Sequence, residues 1–127
     1  MKRISSGSAF EDRLGYSRAV VSNGLVFVSA TAATGEGGRV LCKGDFYGQT
    51  KAIFEKLGPI LAQAGSSLDR VVQTKLYVTN IAEWEAVGRA HAEAFPKERP
   101  AMSILHVNPF LDPDMLVEVE LVAEVTG

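Results

Sequence analysis

The stretch Met115-Leu-Val-Glu-Val-Glu-Leu-Val-Ala-Glu-Val125 sets Met115, Val117, Val119, Leu121, Ala123 and Val125 against Glu118, Glu120 and Glu124. Successive side chains of a strand point to opposite faces, so this alternation predicts a strand with one apolar face and one bearing carboxylates. The apolar face needs a layer to bury it, and the segments upstream supply one. Ala101 to Val107 reads as a neighbouring strand, joined to the last by Asn108-Pro-Phe-Leu-Asp-Pro-Asp114, whose prolines and aspartates mark an irregular connection. Val71 to Val78 reads as another, with Val71, Val72, Leu76, Tyr77 and Val78 favouring extended structure.

Two helical periodicities lie between these strands. From Asp45 to Gly65 the apolar residues Ile53, Leu57, Ile60, Leu61 and Ala64 recur at helical spacing, with Asp45 placed as an N-cap and Gly65 as the stop. Pro59 lies inside this span and lacks a backbone donor, so a bend or a local break in the hydrogen-bond ladder is expected there. A second helix is predicted to open at Asn80, with Glu83 completing a capping box, to gather Trp84, Val87, His91 and Phe95 on one face, and to end before Pro96. Nearer the start, Arg18 to Ser22 and Leu25 to Ser29 flank Asn23-Gly24, the strongest short signal for a hairpin turn. Thr34-Gly-Glu-Gly-Gly38 then reads as a turn before a short strand, Arg39 to Cys42; no lysine and hydroxyl pair follows it to make a phosphate loop. The order predicts an α+β fold, a mixed sheet carrying both helices on one face. Apolar strands near both ends of the chain leave the other face to be covered by a second subunit.

Composition narrows the function classes. With 127 residues, 46% of them hydrophobic and 22% charged, the chain suits a single folded domain spanning 1–127. Its net charge is −2 and its 13 lysines and arginines are scattered, which argues against a dedicated nucleic-acid surface. The lone Cys42 can form no intrachain disulfide, the N-terminus lacks the apolar core of a signal peptide, and no apolar run is long enough to span a bilayer. A cytoplasmic location is expected. His91 and His106 have no metal-ligand spacing around them, and no Gly-x-Ser-x-Gly elbow is present.

Several segments, taken in order, resemble the RidA/YjgF (reactive intermediate deaminase) superfamily. They are Tyr16-Ser-Arg-Ala-Val20, Val26-Phe-Val-Ser-Ala-Thr31, Gln49-Thr50 opening a helix that ends in Ala64-Gly65, Val71-Val-Gln-Thr-Lys-Leu-Tyr-Val78, Arg99-Pro-Ala101 and Val117-Glu-Val-Glu-Leu-Val-Ala123. The resemblance implies a chorismate-mutase-like fold, a barrel-like homotrimer and a small-molecule cleft at each subunit boundary. It implies hydrolysis of enamines or imines to a ketoacid and ammonia, with no metal or organic cofactor.

The same resemblance nominates site residues. Glu120 matches the glutamate that works around the attacking water; Tyr16, Ser29, Thr31, Gly88, Met102 and Ser103 match positions that line the cleft. The segment Pro100-Ala-Met-Ser103 carries Met102 where the family has an arginine that clamps a substrate carboxylate. Methionine offers no donor, and a hydrogen bond to a charged group contributes about 1.5 to 3 kcal/mol, so a carboxylate would bind roughly ten- to a hundred-fold more weakly. Ala30 and Thr31 also replace glycine and glutamine, and Gly88 stands where asparagine is frequent, so the pocket is expected to be retuned.

Each position has a plainer reading. Glu120 can be a solvated strand-face glutamate, and Met102 can fill core space. Arg18, Arg89, Arg99 and His106 are candidate replacement anion binders, Arg99 foremost by chain proximity; otherwise each is a surface residue. The functions in competition are a cofactor-free imine or enamine hydrolase, a non-catalytic metabolite-binding protein and, least favoured by the charge, a ribonuclease.

Overall fold

The computed structural model describes residues 1–126. Six strands, β1 (Lys2–Ile4), β2 (Ala19–Ser22), β3 (Leu25–Ala32), β4 (Val71–Val78), β5 (Ala101–His106) and β6 (Val117–Glu124), form one sheet in the order β1-β2-β3-β6-β4-β5. Only β4 and β5 run parallel. That pairing requires a crossover, which helix α3 (Trp84–Ala94) provides. The final strand enters the middle of the sheet, between β3 and β4, so the segment with the clearest alternation has a neighbour on each side. Its apolar face is buried as expected: Val117, Val119, Leu121 and Ala123 join Val26, Val28, Leu76 and Val78 beneath Ile53, Leu57 and Leu61 of helix α2 (Phe46–Gln63) and Val87 of α3.

Helix α2 begins where its cap predicts. The Asp45 carboxylate accepts the Gly48 amide at 2.8 Å. It ends at Gly65, whose φ of 81° closes the turn while the Ser66 amide reaches back to the Leu61 carbonyl at 2.8 Å. Pro59 does not break the element, which runs unbroken through it; the proline is exposed, on the side of the helix away from the sheet. Gln49, fully buried in the first turn, donates to the Asp114 carbonyl at 2.8 Å and accepts the Leu116 amide at 2.9 Å, so it fastens the irregular 108–114 connection beside β6.

Four expectations are corrected. A third helix, α1 (Ala9–Leu14), and the short β1 occupy the polar N-terminal segment. Residues 39–42 form no strand, only an isolated bridge between Thr34 and Val40. Asn80 caps the Ala82 amide of a short 3-10 turn, Ile81–Glu83, instead of closing a capping box, and α3 starts only at Trp84. Trp84 itself is 55% exposed and does not share the buried face of Val87, His91 and Phe95.

Candidate functional site

The face of the sheet opposite α2 and α3 carries the side chains of alternate positions: Glu118, Glu120 and Val122 on β6, Gln73, Lys75 and Tyr77 on β4, Phe27 on β3 and Leu105 on β5. Two of these make a definite contact. The Tyr77 hydroxyl donates to the Glu120 carboxylate. That bond, followed by burial and the adjacent negative charge, pushes the Tyr77 phenol up to about 12, so it remains a donor across the physiological range. Glu118 faces Tyr77 directly across the strand pair and has Ala32 of β3 on its other side. Burial raises its carboxyl above the ordinary carboxylate range, partly opposed by the Arg18 charge.

Arg18 is a second centre. The residue expected at the surface is only 6% exposed. Its guanidinium donates to the Ala30 carbonyl at 2.8 Å, to Thr31 Oγ1 at 3.0 Å and to the Tyr16 hydroxyl at 3.0 Å. Glu11 of α1 lies 3.7 Å from its Nε. Burial acts to raise the Glu11 carboxyl, but hydrogen bonds from Ser6 and Ser5 and the Arg18 charge outweigh it, so the group sits below its ordinary value. Three of the cleft positions nominated by the sequence are thus tied together: Tyr16 and Thr31 through Arg18, and Ser29 through Thr31, whose hydroxyl donates to the Ser29 carbonyl at 2.8 Å. The Ser29 hydroxyl in turn donates to the Ser17 carbonyl at 2.8 Å.

A β-bulge decides where Thr31 goes. Val28 pairs with Leu121 and Thr31 with Val119, so β3 contains one more residue than β6 over this span. Strict alternation from Phe27 through Ser29 would put Thr31 on the face of Glu120. The extra residue turns it to the helix side, where it is 1% exposed and receives Arg18.

The remaining nominated residues stand apart in the single chain. Ser103 aligns with Lys75, on the face of Glu120, while Met102 aligns with Thr74, on the helix face of the edge strand β5. Met102 is 40% exposed, so it does not fill core space. Gly88 lies half-buried on α3 with open space where a side chain would project. Arg89 stacks over the Tyr47 ring at 4.3 Å, and Arg99 and His106 are exposed. A cavity of about 190 Å³ between α2 and α3, lined by Phe54, Leu68 and Ala90 among others, lies on the opposite side of the sheet from Glu120.

His91 is buried, not marginal: its Nε2 lies 2.8 Å from Thr74 Oγ1 and its ring packs against Phe54 and Phe95. Burial lowers its pKa. Cys42 is exposed. Among the described residues no group of three or more His, Cys, Asp or Glu is placed to hold a metal ion, and no helix is long and apolar enough to cross a membrane.

The sequence offers Arg18 only as a replacement anion binder or a surface residue, and it gives Tyr77 and Glu118 no role in the site. Tyr77 counted only as a strand former, yet it sits on the cross-strand diagonal from Glu120, and the Glu-x-Glu spacing already put both carboxylates on one face.

Relatives and solved structures resemble the chain over nearly its whole length. The family model described as Endoribonuclease L-PSP matches residues 6–125. The 3-aminoacrylate deaminase RutC of Acinetobacter baylyi is 34% identical over 110 residues, covering 87% of this chain and 86% of its own. The crystal structure of a YjgF/YER057c/UK114 family member from Mycobacterium tuberculosis superposes with a TM-score of 0.87 at 41% identity, covering 98% of each chain. A Rid family protein of unknown function from Yersinia pestis gives a TM-score of 0.84 at 28% identity, over 98% of this chain and 95% of its own. The mixed sheet with its helices is therefore the chorismate-mutase-like fold that the resemblance implied, and the chain belongs to the RidA/YjgF family.

Proposed function

We propose that this protein is a cofactor-free hydrolase of small imines or enamines, working as a homotrimer whose clefts lie between subunits. The observation that carries this reading is the Tyr77 hydroxyl holding the Glu120 carboxylate on an open sheet face, in a chain 34% identical to a 3-aminoacrylate deaminase. Glu120 takes the proton of the attacking water, which is the work of a general base. Tyr16, Ser29, Gly88, Met102 and Ser103 shape the cleft, and buried Thr31 acts on it through its bonds to Arg18 and Ser29. Met102 and Gly88 are on the helix side of the sheet and Glu120 on the other, so gathering them in one cleft takes two chains. The open face supports assembly: Phe27 is 47% and Leu105 40% exposed there. The whole 1–127 chain acts as the single domain, in the cytoplasm.

The missing arginine sets the substrate range. With Met102 at that position, the favoured substrate is neutral, or carries its carboxylate elsewhere. Met102 also favours a second reading, a protein that binds metabolites without turning them over.

The deciding experiment generates imines in place with an amino-acid oxidase, carboxylated and neutral, and follows their decay with the wild type, Glu120→Ala and Met102→Arg. Neutral imines should decay faster with the wild type and not with Glu120→Ala, while Met102→Arg should gain roughly ten- to a hundred-fold on carboxylated ones. No acceleration of any imine by any variant would leave metabolite binding as the function.

A further inference from the structure

Strands β1 and β2 pair so that Ile4 lies opposite Ala19, and both residues are buried. The chain between them, residues 5–17 with helix α1, is a loop whose ends are fastened side by side in the sheet, the form of an Ω-loop. Little apolar contact holds it down. Glu11 is the one buried residue of α1, while Phe10 is 41% and Leu14 72% exposed. Gly7 and Gly15, both at positive φ, bracket the helix, so the segment can swing on its ends without disturbing a strand.

Beneath Glu11 lies a cation whose bonding is incomplete. The terminal nitrogens of buried Arg18 donate to the Ala30 carbonyl, Thr31 Oγ1 and the Tyr16 hydroxyl, but its Nε has no hydrogen-bond partner. Glu11 Oε2 stands 3.7 Å from that nitrogen, near enough to offset its charge and too far for a hydrogen bond. The Glu11 carboxylate is held instead by the Ser6 amide, at 3.2 and 3.3 Å, and by the Ser6 hydroxyl. A second cation is close by. Lys56 of α2 donates to the Ala32 carbonyl at 3.2 Å and to Thr34 Oγ1 at 2.7 Å. Burial, followed by the Arg18 charge, holds its ammonium below the ordinary lysine range, with Glu11 opposing both. Among the described residues Glu11 is the one carboxylate within ion-pair distance of Arg18; Glu118, on the other face of the sheet, feels that charge without pairing to it.

We propose that the 5–17 loop covers a binding site for a small carboxylate on Arg18, and that Glu11 is the chain's own carboxylate filling that site when the cover is shut. The ligand class follows from the incumbent. A carboxylate already faces Arg18, so a free one can replace it without leaving a buried charge uncompensated, and Glu11 passes to water in exchange. A ligand released from the Ser6 contacts can approach to hydrogen-bond distance and give Nε the acceptor that it lacks, with Lys56 adding a second positive charge. A neutral molecule would leave two cations facing each other with no anion. Arg18 stays behind as the cover lifts, because Ala30 and Thr31 hold it to β3. Occupancy needs no turnover, so this site stands or falls apart from the hydrolase reading.

The test titrates sodium acetate into the full chain, with sodium chloride at matched ionic strength as the control, and follows the Arg18 Nε–Hε and backbone amide signals by NMR. Acetate, and not chloride, should shift the Arg18 Nε–Hε signal saturably. It should also speed hydrogen exchange of the α1 amides, residues 9–14, while Val26 and Val28 of β3 keep their protection. Glu11→Gln removes the internal competitor. The acetate Kd should then fall about 10- to 1,000-fold, the factor expected when an open form holding about 0.1 to 10% of the wild type becomes the main one. A folded Glu11→Gln that binds acetate no more tightly than wild type would overturn the proposal and make Glu11 a plain structural partner. So would the lack of a saturable Arg18 shift in both proteins. Should Glu11→Gln fail to fold, the wild-type titration decides: a saturable shift with acetate alone supports the site, and equal shifts with chloride, or none, overturn it.

Discussion

At the scale of single residues, the polar contacts give the sharpest expectations. Tyr77→Phe deletes one hydroxyl and leaves the ring, so it should lower kcat about ten- to a hundred-fold, the worth of a hydrogen bond to a charged group, with the fold unchanged by circular dichroism. Arg18 is the reverse case. Arg18→Met removes the charge beside buried Glu11 and the donor to Thr31 Oγ1, the Ala30 carbonyl and the Tyr16 hydroxyl, and should destabilise by about 3 to 5 kcal/mol in urea denaturation. Lysine at that position cannot reproduce three divergent bonds and should rescue little. His91 sets a pH limit. Its folded pKa lies below the unfolded value of about 6.5, so the unfolded chain binds the proton first. Its share of stability is constant above that pH and is lost as pH falls below it. Thermal melts from pH 8 to 5 should show the loss, and His91→Gln should flatten it. None of these partnerships is spelled in the sequence: Glu120 was nominated by its family position and Met102 by a departure from it, whereas Arg18 was offered only as an anion binder or a surface residue, with nothing to mark its buried contacts.

At the scale of elements, legibility followed the kind of signal. The hairpin at Asn23-Gly24, the ends of α2 at Asp45 and Gly65, and the alternation in β6 were all readable because each rests on local chemistry or on a long apolar period. Helix α1 was not, since the buried residue that anchors it is Glu11 and no apolar stripe marks it. The bulge in β3 was equally hidden, because an extra residue in a strand leaves no compositional trace and shows only once β6 is laid beside it. The cap of α2 can be tested directly. Asp45→Ala should cost about 0.5 to 2 kcal/mol in thermal denaturation. A Cβ on Gly48 would stand 2.4 Å from Asp45 Oδ2, so Gly48→Ala should yield its gain in helix propensity only after Asp45 is removed. Additive effects of the two substitutions would show that the carboxylate can cap from another position.

At the scale of the whole molecule, what the sequence suggested about a second layer remains with the open face. Phe27→Asp puts a charge at its apolar part and should give a folded chain sedimenting as a monomer. Such a monomer would carry another liability. Strand β5 is bonded on one side only, to β4, and its residues Ala-Met-Ser-Ile-Leu-His contain no proline and no acid, with Met102 and Leu105 each 40% exposed. A bare edge of that kind is a template for strand addition by any other chain. Subunits separated by mutation or dilution should therefore form thioflavin-binding fibres while still folded, and a Leu105→Lys gatekeeper should delay them. In the proposed homotrimer, subunit contacts would be what keeps this edge from other chains.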